Sequence, residues 1–175
     1  VNFAIAPSNR ITLDGENAVN TADAGSFATP GHDVQFTTTN NGNTTITITF
    51  DVDVANLRFS LFDLDNNQVV TIGAGNTALV PQPITVTKAN AGSGIVIAGS
   101  PGITPASTGP GADYGNADNN GTINVSIPGP VKTIVILLNN ATGDIWLSDI
   151  NTCVTGSFPN NWRNISRPFT GMPAY

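Results

Sequence analysis

From Thr45 to Val54 the chain alternates without a break: Ile46, Ile48, Phe50, Val52 and Val54 fall on one side, and Thr45, Thr47, Thr49, Asp51 and Asp53 on the other. A two-residue period held for ten residues predicts a β-strand with one buried and one wet face. Asn40–Asn43 ahead of it contains an Asn-Gly step suited to a hairpin turn, so residues 33–39, with Val34 and Phe36 inward, are the expected partner strand. Leu57, Phe59 and Leu61 continue the alternation, and the phase then switches to Phe62 and Leu64, as a bulge near Leu61 would produce. Shorter strands are expected at 3–6, 11–13, 69–72, 84–87, 95–98, 122–127, 131–138 and 145–150. The 131–138 run is almost wholly apolar, which places it mid-sheet with both faces covered.

Gly, Pro and Asn separate these strands, and no crossover helix lies between them. The expected fold is therefore all-β: a two-sheet antiparallel sandwich, jelly-roll-like, over residues 1–156. Residues 157–175 combine Pro159, Pro168 and Pro173 with Phe158, Trp162, Phe169 and Tyr175, and read as an extended tail or linker. Residues 99–120 read as a long surface loop.

Composition agrees, because Val, Ile and Thr fill 52 of 175 positions while Glu occurs once and Lys twice. With 10% charged residues and a net charge of −6, the chain has no basic footprint for nucleic acid, and no apolar run long enough for a membrane helix. The start at Val1, the scarcity of Lys and Glu and the abundance of Asn and Thr suggest an exported product at or outside the cell surface. A single Cys153 allows no intrachain disulfide and reads as packing. His32 is the only imidazole and sits in a turn-like Thr29–Asp33 stretch; Glu16 is the only glutamate. No nucleophile elbow, zinc helix or phosphate loop is present, so the chain reads as no enzyme.

Asp63 and Asp65, two apart on a strand, bring like charges together, and a hard cation with oxygen ligands is the simplest neutraliser. Calcium fits, with Asn67 as a further oxygen donor and Asp149 as another carboxylate; two solvated carboxylates at a strand end are the plainer alternative. Asn116, Asp118 and Asn120 repeat oxygen donors at alternate positions before Gly121, either as a second calcium loop or as an ordinary Asn-Gly turn. Asp113 and Tyr114 in the long loop are candidates for contact with a sugar or a protein. Five Asn-x-Ser/Thr tripeptides, at Asn43, Asn120, Asn124, Asn140 and Asn164, are close to what this composition supplies by chance. Thr45, Thr47 and Thr49 form the kind of row that binds ice only where neighbouring strands repeat it.

The segments 56–65 (NLRFSLFDLD), 121–131 (GTINVSIPGPV) and 145–150 (IWLSDI) together resemble β-sandwich modules of large secreted bacterial surface proteins of the adhesin type, over residues 33–153. The resemblance implies a non-catalytic extracellular module for adhesion or assembly, and it is the ground for grouping Asp149 with Asp63 and Asp65. Two mechanisms stay open. Like subunits, or another surface protein, join by strand addition with Phe3 and Ile5 as anchors; alternatively, a calcium-stabilised module binds glycan through the long loop.

Overall fold

The computed structural model describes residues 1–6, 11–13, 34–38, 43–114, 118–139 and 143–154. The 40–42 turn, Glu16, His32, Asn116, Asn140, Asn164 and the 157–175 tail lie outside them. Twelve strands are present among the described residues: β1 (Asn2–Ala6), β2 (Ile11–Leu13), β3 (Val34–Thr38), β4 (Thr44–Phe62), β5 (Val69–Gly75), β6 (Thr85–Lys88), β7 (Val96–Ala98), β8 (Ala106–Thr108), β9 (Ile123–Ile127), β10 (Val131–Asn139), β11 (Gly143–Leu147) and β12 (Asn151–Val154). Every pairing is antiparallel. This is the expected all-β sandwich.

The two layers are joined through β4, whose 19 residues run through both. Its first half pairs with β1 and β10, and β10 leads on to β5, β8 and β7. Its second half pairs with β9, β11 and β12, extended by β6 beyond β9 and by β3 and β2 beyond β11. The two strands expected at 45–54 and 57–64 are thus one element that changes sheet. The change falls at Val54–Asn56, where Asn56 takes a left-handed φ of 52° and donates its N–H to the Pro128 carbonyl at 2.9 Å. Gly129 supports the corner: its φ is +89°, and a Cβ there would stand 2.7 Å from the Val54 carbonyl oxygen.

The inward faces form the core. Ile46, Ile48 and Phe50 meet Ile134, Ile136 and Leu138 on the first layer, against Leu57, Phe59, Leu61, Ile123, Val125 and Ile127 of the second, all in one buried apolar cluster. At about 25 cal/mol per Å2, this burial is the main favourable term for the fold. On the outer side of the second layer, Phe62 lies directly across from Trp146, and both are buried.

Four local expectations are corrected. Strand β3 pairs with β11 and β2 rather than with β4, so the 33–54 hairpin does not form; a long-range partner for Phe36, opposite Ile145, wins over the local turn. Val52, expected inside, is 51% exposed, because β4 is leaving the first layer where its register with β10 slips between Val131 and Thr133. Strand β10 is central, between β4 and β5, but only its Ile134 side is fully buried; Thr133, Val135 and Leu137 remain half-buried. The 99–120 segment is no featureless loop: it contains β8 and a short 3-10 turn at Asn119–Gly121.

Candidate functional site

The phase switch expected near Leu61 falls two residues later. Asp63 adopts φ +61°, which turns Leu64 back into the core, and Asn66 and Asn67 follow at φ +48° and +60°. Asp and Asn tolerate this region better than other side chains do, since their short polar groups bond locally. The turn from Asp63 to Gln68 closes on itself: the Gln68 N–H donates to the Asp65 carbonyl at 2.7 Å, and the Asp65 N–H to Gln68 Oε1 at 3.3 Å.

The segment after β8 is laid along this turn by backbone bonds. Gly109 donates to the Gln68 carbonyl at 2.9 Å, Asn67 to Pro110 at 3.0 Å, Asn66 to Ala112 at 3.4 Å, and Leu64 to Gly121 at 2.9 Å. The buried Asp65 carboxylate completes the join. It accepts the Tyr114 backbone N–H at 2.8 Å on Oδ2 and the Asn66 side-chain amide at 2.9 Å on Oδ1.

The electrostatics are unfavourable to full ionisation. Burial pushes the Asp63 carboxyl up to about 7, with the charges of Asp65, Asp144 and Asp113 adding to the shift. Its Oδ1 is buried without a hydrogen-bond partner. Asp65 is also raised, first by its own burial; the Tyr114 N–H opposes this, and the Asp113 carboxyl, in hydrogen-bond contact with it, adds to it. Two carboxyl groups in contact need a proton or a cation between them. Among the described residues, however, no three His, Cys, Asp or Glu side chains lie together, so a cation here would rest on two carboxylates and neutral oxygens.

The predicted residues thus separate into groups. Asp63, Asp65, Asp113, Tyr114 and Asn67 come together at one end of the sandwich. Asp118 and Asn120 are held in a neighbouring turn: Asp118 Oδ1 accepts the Asn120 N–H at 2.9 Å, and Asn120 Oδ1 accepts from the Asn90 amide at 2.8 Å. Asp149, just beyond β11, is not among the carboxylates that shift Asp63 or Asp65. Its neighbour Ser148 has a clear structural role, with Oγ accepting the Ser60 N–H at 2.8 Å and donating to the Asp149 carbonyl at 2.9 Å. Ser148→Ala is expected to cost about 1–2 kcal/mol by removing both of these hydrogen bonds, measured by urea unfolding. Asp144, absent from the sequence prediction, joins the group from β11; the only sign of it was a charged side chain beside an apolar strand. Phe3 and Ile5 stand opposite Ile48 and Ile46 in the β1–β4 register, with Ile5 packed on the core. Cys153, expected to be buried, is exposed, since β12 pairs at the margin of the second layer. Asn124 is buried within β9, which closes that tripeptide to a glycan.

The fold and this loop end define a β-sandwich with a polar, acidic apex. No family model matches the chain, and no curated protein does. Among solved structures, the enzymatically active domain of bacteriophage CBA120 tailspike protein 4 aligns at 12% identity and a TM-score of 0.41 over 87% of this chain; the chain spans 19% of that one. The CBM6-3 module of Clostridium stercorarium, solved in complex with cellobiose, aligns at 12% identity and a TM-score of 0.34, covering 87% of this chain and 95% of that one. Both are β-rich, and the likeness extends no further.

Proposed function

We propose that this chain is a non-catalytic recognition module of an exported surface protein, and that its loop end binds glycan. The supporting observation is the Asp65-anchored join, which holds the exposed Asn66, Asn67 and Asp113 beside the half-buried Tyr114 on a braced turn. Amides and carboxylates bond sugar hydroxyls, and a phenol ring packs on a sugar face. Preorganisation by Asp65 lowers the ordering cost of binding. On glycan arrays, and then by calorimetry with the best oligosaccharide, Tyr114→Ala and Asp113→Asn are each expected to weaken binding about tenfold, in chelator and without loss of thermal stability. Equal affinity in both variants removes the reading, and cleavage of the glycan removes its non-catalytic part.

Calcium is the cation that this oxygen-rich cluster favours, through Asp65 and Asp113 with neutral oxygens completing the shell. At tenfold excess over Kd, the ion adds only about 1.4 kcal/mol, or roughly 3–5 °C in melting temperature for a chain of this size. Calorimetric scans with calcium, magnesium and chelator check this; a calcium gain retained by Asp113→Asn counts against it.

Assembly by strand addition is a second reading, favoured by β1. This five-residue strand occupies the margin of the first layer, and among the described residues β4 is its only partner. A strand held on one side can be exchanged for that of a neighbouring subunit. Fibres or oligomers that vanish on deleting residues 1–6 support it.

A further inference from the structure

The outer side of the first layer has an unusual make-up for an acidic chain. Thr45, Thr47 and Thr49 of β4 stand directly opposite Leu137, Val135 and Thr133 of β10. On one flank β1 adds Asn2, Ala4 and Ala6 in the same rows; on the other β5 adds Thr71, Gly73 and Gly75. Strands β8 and β7 extend the rows with Ala106, Thr108, Ala98 and Val96. The Thr row is not repeated on its neighbours, so the condition set for an ice-binding array is not met. Instead, the outward positions just named carry no charge, and among the described residues charge begins at the rim, with Asp51, paired with the Val1 amine, and Lys132.

We propose that this face docks against the same face of a second copy, giving a two-fold symmetric dimer of sandwiches. Charge supports this occupant: each chain carries −6, and two copies approaching through their loop ends would set Asp63, Asp65 and Asp113 against one another. The uncharged face is where like chains meet without like charges opposed, and the only interface geometry that uses one patch twice is isologous. Side-chain size also supports it, since Ala, Gly and Thr let two sheets approach to about 10 Å with their rows interdigitating. The area is sufficient: six strands about 4.8 Å apart, each with two to four outward positions about 6.7 Å apart, cover about 600 Å2 per copy. The resulting total of about 1,200 Å2 lies at the lower bound of specific interfaces, which makes the dimer reversible rather than obligate.

Sedimentation equilibrium of the full chain between about 10 µM and 1 mM tests the proposal. The expected result is a monomer–dimer equilibrium that tightens as NaCl rises, because salt screens the repulsion between two acidic chains. Thr47→Glu and Val135→Glu, both at the centre of the face, are each expected to weaken the dimer more than tenfold while circular dichroism and melting stay as in the wild type. A chain that remains monomeric at 1 mM overturns the proposal. So does a dimer that survives both substitutions but disappears on deleting residues 1–6, since that result assigns association to strand exchange. A monomer that is retained on insoluble polysaccharide, or that depresses ice growth, and loses the property in Thr47→Glu, gives the face a different occupant and also overturns it. Because glycan binding by Tyr114 variants is measured separately, failure of the dimer leaves the loop-end reading intact.

Discussion

At pH 8, in chelator, Asp63→Asn is expected to raise the melting temperature by about 4–8 °C, an uncommon gain from replacing a buried charge by its neutral isostere. The wild-type carboxyl is pushed up to about 7 in the folded chain from an ordinary value of 3.8, chiefly because it is buried, and then because the charges of Asp65, Asp144 and Asp113 act on it. The folded state therefore binds the proton more tightly than the unfolded state does. Stability from this group is full below about pH 4, is lost as pH rises from there through about 7, and stays lost above. After allowance for solvent screening at a turn that reaches the surface, ionisation costs about 2 kcal/mol above pH 7. Asparagine removes that cost and accepts the left-handed φ of 61° at this position. Melting curves of both proteins from pH 4 to 8 should converge at the acid end and separate at the alkaline end. Calcium should narrow the separation if it neutralises the neighbouring Asp65–Asp113 pair. Curves that stay parallel across the range would falsify the burial account of Asp63.

Gly109→Ala is the second large effect, and its sign is opposite. A Cβ at residue 109 would stand 2.7 Å from the Asp65 nitrogen and 2.7 Å from both the carbonyl carbon and oxygen of Leu64. These are backbone atoms of the strained turn, so no side-chain rotation relieves the contact. The strand end must withdraw, and with it go the Gly109–Gln68 and Asn67–Pro110 bonds that seat the loop. Overpacking together with two lost buried bonds amounts to about 3 kcal/mol. Urea denaturation should show that loss, and amide exchange should show Asn67 and Tyr114 unprotected. Glycan affinity, if it resides at this apex, should fall with it. A variant of wild-type stability would mean that the 109–114 segment is not held as tightly as the Cβ contacts require.

These two positions differ in how visible they are before folding. Asp63 belongs to an alternating acidic pair, and any reader of alternation would mark it. Gly109 stands among many Gly-Pro and Pro-Gly steps, and nothing nearby in the chain announces that its neighbour in space is Leu64. Asp144 is similar: it sits beside an apolar strand, and only the pairing of β11 with the end of β4, through Trp146 opposite Phe62, brings it to the turn.

What the chain determined by itself is local. Two-residue alternation from Thr45 onward, the wealth of Val, Ile and Thr and the near absence of Glu and Lys are enough for an all-β sandwich, because side-chain direction along a strand follows from backbone geometry alone. What only the tertiary structure decided is partnership. The Asn40–Asn43 turn signal favours a neighbour in sequence by a small loop-closure advantage, whereas burying Phe36 against the second layer, opposite Ile145, is worth more. The same competition carries β4 from one layer into the other, places the turn at Asp63 within reach of the charges of Asp113 and Asp144, and sets the Thr45–Thr49 side mainly beside Ala, Val and Leu, with Thr133 the one threonine directly opposite. Such choices are settled by free energies summed over residues far apart in the chain, and no local pattern encodes them.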